Sequence, residues 1–336
     1  MVVLGFGVAT PALAHVKHPE PPLDATTLGV VVNDADPLSV RVGRYYQHVR
    51  AIPARNMVHV RIASKDTKMS AADFASLKSQ IDSQLDARVE AIVMIWTTPY
   101  AVECNSITAA YTMGLDLELC KNSCAPSRAS PYYDSASSRP YSYRHLRLAM
   151  LLPTESFASA KALIDRGVKS DGTMPQSSGY FLTTSDAARN TRTPFFPPSQ
   201  HLLWPPLNLV NLQADSIADK TDVLFYFTGA LRVPKLDTLK FVPGAIADHL
   251  TSTGGDLRSN GQMSSLEWLA AGATASYGTV SEPCNYWQKF PNPAVLLKHY
   301  LGGEPIIEAY WKSVGWPAQG VFIGEPLASP FKRLAF

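Results

Sequence analysis

The chain has 336 residues, 46% hydrophobic and 17% charged, with a formal charge of +2, which is long enough for a substantial core and ordinary for a folded protein. Its lysines and arginines are dispersed, with no basic run or aromatic-interleaved patch, and this argues against a nucleic-acid protein. After the first residues nothing approaches the roughly 18 uninterrupted apolar residues of a membrane span, so no transmembrane segment is expected.

The start, MVVLGFGVATPALAHVK, sets an apolar stretch from Val2 to Val8 before Ala12-Leu13-Ala14, the small-x-small pattern of a signal-peptidase site. Residues 1–14 read as a signal peptide remnant, 15–26 as a proline-rich leader, and 27–336 as a single α/β domain. The expected location is exported, periplasmic or extracellular. Four cysteines, Cys104, Cys120, Cys124 and Cys284, fit such an oxidising compartment and allow three pairings.

Leu28 to Val32 is a continuous apolar run, the mark of a strand covered on both faces. A helix is predicted from Ser39 through SVRVGRYYQHVR, then a strand over NMVHVRIA. Ser70-Ala71-Ala72-Asp73 has capping-box spacing, and Phe74, Leu77, Ile81, Leu85 and Val89 form one apolar stripe at helical spacing. AIVMIW is the next buried strand. This β-α-β-α-β pattern implies a doubly wound, mostly parallel sheet with helices on both faces. A long irregular insertion is expected near 115–145. LRLAMLLP, the helix ESFASAKALIDRGVKSDG and the strand SGYFLTTSD resume the alternation. A second insertion near 190–210, TRTPFFPPSQHLLWPPL, is too proline-rich for regular structure and reads as a lid or interaction surface carrying exposed aromatics. DVLFYFTG and ATASYGTV are strands, and SSLEWLAAG, PAVLLKHYLGG and PIIEAYWKSV are helices. No internal repeat is visible.

Ligands of open parallel sheets bind outside the carboxyl ends of the strands. The candidate ligand-binding residues are therefore Thr97, Thr98 and Asn105 after AIVMIW, Thr228 and Gly229 after DVLFYF, and Asn285 after ATASYGTV. Glu103, Asp248, His249, Glu282 and Cys284 are the candidate catalytic residues, with His249 or a glutamate suited to general acid/base work. If the strands are parallel, Cys104 and Cys284 leave the sheet at one rim. They then read as a disulfide, as a thiolate activated by His249, or with His249 and a carboxylate as a metal site. The disulfide is the reading expected of an exported protein, with a local Cys120–Cys124 pair beside it. No metal and no cofactor is expected, and a hydrogen-bonded Asp248-His249 is the plain alternative to a functional one.

The blocks NDADPLSVRVGRYYQHVRAIPARN, WTTPYAVECNSITAAYTMGLD, PGAIADHLTSTGG, QMSSLEWLAAGATASYGTVSEPCN and EAYWKSVGWPAQGVFIGEPLA resemble an uncharacterised bacterial family of exported proteins associated with exosortase-carrying genomes. The resemblance spans about residues 27 to 330 and implies an envelope setting. More distantly, the last third is similar to the gingipain-type, caspase-like cysteine peptidases. In that family one strand ends in a histidine and the next in the catalytic cysteine. Here Ala230 and Leu250 to Thr253 stand at those positions, so the resemblance implies the fold without the dyad. Two functions are expected from these residues. One is a ligand or hydrolase-like catalytic site at the strand ends. The other is a non-catalytic pseudo-enzyme that binds an envelope protein or polysaccharide through its aromatic loops.

Overall fold

Apolar runs without polar alternation become strands buried on both faces, and the computed structural model, which describes residues 20–258 and 261–332, shows them so. The chain begins β1 (Leu28–Asn33), α1 (Pro37–Val49), β2 (Met57–Val60), β3 (Lys68–Met69), α2 (Ala71–Asp82) and β4 (Ala91–Ile95). It continues β5 (Ala101–Val102), β6 (Asn105–Ser106), α3 (Ile107–Met113), α4 (Glu118–Lys121), α5 (Pro140–Arg144), β7 (Leu148–Leu151) and α6 (Phe157–Ser170). Next come β8 (Ser177–Thr183), β9 (Gln200–Leu202), β10 (Leu207–Gln213), β11 (Val223–Gly229) and β12 (Phe241–Leu250). The chain closes with α7 (Ser265–Ala271), β13 (Ala275–Thr279), α8 (Pro293–Leu301), α9 (Ile306–Ser313) and β14 (Gly320–Gly324). The signal-peptide site falls outside the described residues.

Eleven strands form one mostly parallel sheet in the order β2-β1-β4-β7-β14-β13-β12-β11-β8-β10-β9, and β3, β5 and β6 make a small second sheet. Both flanks repeat one arrangement. With the edge strand β9 set aside, in β2-β1-β4-β7 and in β10-β8-β11-β12 the second strand lies outside the first, and the third and fourth follow inward. No sequence repeat announces this, because buried strands share only apolarity.

The strand β14 sits mid-sheet, antiparallel to β13 from Ala275–Gly324 to Thr279–Gly320. Its one bridge to β7, Ile323 with Leu151, has the pattern of a parallel pair, yet the strand as a whole runs against its neighbours. Gly320 O accepts from Ser106 Oγ (2.6 Å) at the N-cap of α3, and Glu325 just beyond β14 meets Arg50 at the far end of α1. Where β14 and β7 part, side chains satisfy the freed backbone groups: Trp311 Nε1 donates to Ala149 O (2.9 Å), and Phe322 N donates to Thr108 Oγ1 (3.4 Å).

Two sequence expectations change. The stripe through Leu85 and Val89 is not one helix. The helix α2 ends at Asp82, Ser83 caps it, and the chain turns back toward β4 with Gln84 Nε2 donating to His59 O and Gln80 O. Leu85 and Val89 still pack over Gly29 from the turn. The 190–210 stretch, read as wholly irregular, contains β9, and β10 begins at its end. The prolines stop at Pro206, and the Leu207/Leu209 alternation that follows buries those leucines beside β8.

Candidate functional site

The carboxyl ends of the strands meet on one rim. Tyr100, after β4, donates its hydroxyl to Asp256 beyond β12. Arg258 pairs with Glu155 beyond β7 (2.6 Å), and Ser281 Oγ beyond β13 donates to Cys104 O (2.8 Å). Cys104 and Cys284 thus share a rim but do not bond. The disulfides are Cys104–Cys120 and Cys124–Cys284, in place of the expected Cys104–Cys284 and Cys120–Cys124. The insertion lies across the rim, so each of its two cysteines reaches a different strand-end loop. With both sulfurs in disulfides, neither Cys104 nor Cys284 carries a free thiol. Among the described residues no group of three His, Cys, Asp or Glu is placed to hold a metal ion. Thiol titration under denaturing, non-reducing conditions is expected to find no free thiol, and one reactive thiol per chain would contradict this pairing.

The other candidates scatter. Glu103, at positive φ in the β5–β6 turn, is exposed and accepts from Ala71 N (2.9 Å) at the start of α2. Glu282 is exposed and accepts from Cys284 N (2.7 Å). Asp248 and His249 are successive residues of β12, so their side chains leave opposite faces of the sheet.

His249 is fully buried, with Trp268 Nε1 donating to its Nδ1 (2.9 Å). Burial and the nearby Arg192 charge lower its pKa to about 3. An unfolded chain would protonate this histidine below about pH 6.5, whereas the folded one does not, so its contribution to stability is lost as pH falls. Asp248, raised to about 6 by burial, works the other way, losing stability as pH rises through that value. A His249→Gln variant keeps an acceptor for Trp268 and leaves Asp248 in place. The stability gap between wild type and this variant is expected to shrink by about 2 kcal/mol from pH 7 to pH 5 in urea unfolding. A gap that stays constant would refute the buried neutral histidine.

Asp248 forms a closed ion pair. Arg192 Nη1 donates to Asp248 Oδ1 (2.5 Å) and Arg192 Nη2 to Thr228 O (2.9 Å), and both side chains are almost inaccessible, at 2% and 1% exposure. Arg192 comes from the loop after β8. The same loop lays the Arg189 carbonyl against Gly229, where a Cβ would collide with it, and Arg189 Nε reaches Thr251 Oγ1 (3.3 Å). That loop closes the crevice at the ends of β11 and β12. Around the pair Arg192 Nε, Asp248 Oδ2 and Thr228 Oγ1 are buried without a hydrogen-bond partner.

The proposed ligand-binding residues are mostly spent on structure. Thr97 Oγ1 accepts from Thr154 N (2.9 Å), and Asn105 exchanges bonds with Asp116 N and O (3.0 and 3.1 Å). Gly229 O accepts from Thr184 Oγ1 (2.6 Å). Thr98 is half-buried before a cis proline, Thr228 is buried, and Asn285 is half-buried at positive φ with its Oδ1 unpartnered.

Sequence reasoning missed Arg192 and the rings of the loops after β13 and α9 that join the 190–210 aromatics on this rim. Phe195 packs on Trp287 (4.6 Å between centroids) and Tyr286 on Trp316 (5.8 Å), with Tyr286 41% exposed. Trp316 N donates to Gln288 O (2.7 Å), joining the two segments. The proline and aromatic density of 191–198 and 286–293 was the available signal. A polar cleft of about 480 Å³, walled by Arg61, Lys68, Asp73 and Pro99, opens separately beside α2. Comparison with protein-family models, curated proteins and solved structures finds no match for the chain.

Proposed function

We propose that this is an exported, non-catalytic binding protein whose ligand face is the carboxyl rim of the sheet. One observation carries the reading. Where a nucleophile or base would stand, at the ends of β11 and β12, Arg192 is buried against Asp248 and a loop covers both. A buried ion pair closed in this way holds a loop in register, and neither partner is open to a substrate. The two disulfides fit an oxidising compartment, and no helix among the described residues is long and apolar enough to cross a membrane. The scaffold that accompanies this reading is a caspase-like α/β architecture. Its dyad positions, Ala230 and Leu250 to Thr253, lie beside the Arg189–Arg192 loop at the ends of β11 and β12. The partner is an envelope component.

The test is retention of the disulfide-intact protein by isolated bacterial envelope material. Retention is expected, and a Phe195→Ala/Tyr286→Ala variant should reduce it. Hydrolysis of peptide or ester substrates that disappears in Asp248→Asn, with the melting temperature held, would overturn the proposal.

A further inference from the structure

We propose, independently of what the rim binds, that His299 is a proton-dependent clasp: it holds residues 130–138 of the insertion against α8 and α9 at mildly acid pH and slackens as pH rises. Its side chain is 6% exposed, and a carboxylate stands at each ring nitrogen. Glu304 Oε1 lies at Nδ1 (3.0 Å) and Asp134 Oδ1 at Nε2 (2.9 Å). An ionised carboxylate only accepts, so both contacts are hydrogen bonds only while both nitrogens carry protons. A neutral imidazole has one N–H, and its other nitrogen would turn a lone pair toward a carboxylate.

The surrounding charges count the same way. Lys298 of α8 donates to Asp134 Oδ1 (2.7 Å), and Lys312 of α9 bridges Glu304 Oε2 (2.8 Å) and Glu308 Oε2 (3.3 Å). The carboxylates of Asp134, Glu304 and Glu308 thus meet Lys298, Lys312 and His299, and the set is neutral only with an imidazolium. Lys312 and Glu308 are fully buried, so an unbalanced charge beside them is poorly screened. The remaining titratable group facing the set is Tyr132, whose hydroxyl donates to Glu308 Oε2 (3.3 Å); burial and the Glu308 charge keep it protonated.

Asp134 is the contact that opens. It is the more exposed of the two carboxylates at the ring, so it turns to water at less cost than Glu304. It also holds a left-handed backbone (φ 49°), with its N–H donating to Lys312 O (2.9 Å). Ser138 Oγ, bonded to Glu308 Oε2 (2.7 Å) without involving His299, stays in place. At the other end of the segment Ser130 N donates to Gly315 O (2.8 Å), beside Trp316 of the rim.

The test uses the full, disulfide-intact chain between about pH 5.5 and about pH 8.5, which spans the histidine range. Imidazole nitrogen NMR of wild type is expected to show two N–H groups on His299 at the acid end and one at the alkaline end. The ring is assigned by its loss in His299→Gln or its shift in Asp134→Asn, so one folded variant suffices. Over the same span, opening of amides 130–138 in hydrogen exchange, corrected for the intrinsic pH dependence of exchange, should rise about tenfold or more. Asp134→Asn should flatten that rise, because an amide can donate to the bare ring nitrogen. A His299 ring already neutral at about pH 5.5, an opening indifferent to pH, or a rise of equal size in Asp134→Asn overturns the clasp.

Discussion

Arg192→Met is expected to destabilise the protein by about 3–5 kcal/mol at pH 7, because it strands the Asp248 carboxylate in the interior. Asp248 is 1% exposed and pairs with the Arg192 guanidinium at 2.5 Å. Burial already pushes its pKa up to about 6, with the guanidinium opposing that rise. Without the guanidinium the carboxyl protonates more readily, so the loss should be smaller at pH 5 than at pH 7. The double variant Arg192→Met/Asp248→Leu should recover most of the stability, since replacing both partners by apolar groups removes the desolvation penalty. A double-mutant cycle in urea measures this. A single-variant cost below about 1 kcal/mol would show that Asp248 is not held as an ionised, paired group. Loss of Arg192 also frees Phe195 from Trp287, so Trp287 emission should report the same event.

Removing Cys124–Cys284 is expected to cost more than removing Cys104–Cys120. The bridges span 160 and 16 residues, and chain-entropy estimates put their constraints on the unfolded state at about 5 and about 3 kcal/mol. Alanine pairs at each bridge, compared by chemical denaturation, give the test. The reverse order would place their effect in native packing, not in the unfolded chain. The longer bridge also ties the 115–145 insertion to the loop after β13, near Lys289 and its bond to Ser123 O. Its loss should therefore loosen the rim, with faster proteolysis between Asn122 and Arg128.

Local signals account for most of the elements. The apolar runs at 28–32 and 91–95 have no polar face, and they could be stable only between two covered layers. Ser70 caps α2 where its spacing announced it, and Ser156 and Ser264 cap α6 and α7 in the same way. The mid-sheet place of β14 left no such mark. A strand's composition reports burial; its neighbours and direction are long-range facts. The same limit applies to β10, whose alternation sits beside prolines that mask it.

By itself the sequence determined the α/β class, the even set of cysteines and the residues that would stand near strand ends. Those follow from composition, periodicity and residue type, which act within a few residues of one another. Only the tertiary structure decided which cysteines pair, that Asp248 and His249 face apart across β12, and that Arg192 enters from 56 positions away to close the crevice between β11 and β12. A charged pair buried at 2.5 Å is set by the packing of distant loops. No local pattern in 184–199 distinguishes an arginine that turns inward from one that stays in water.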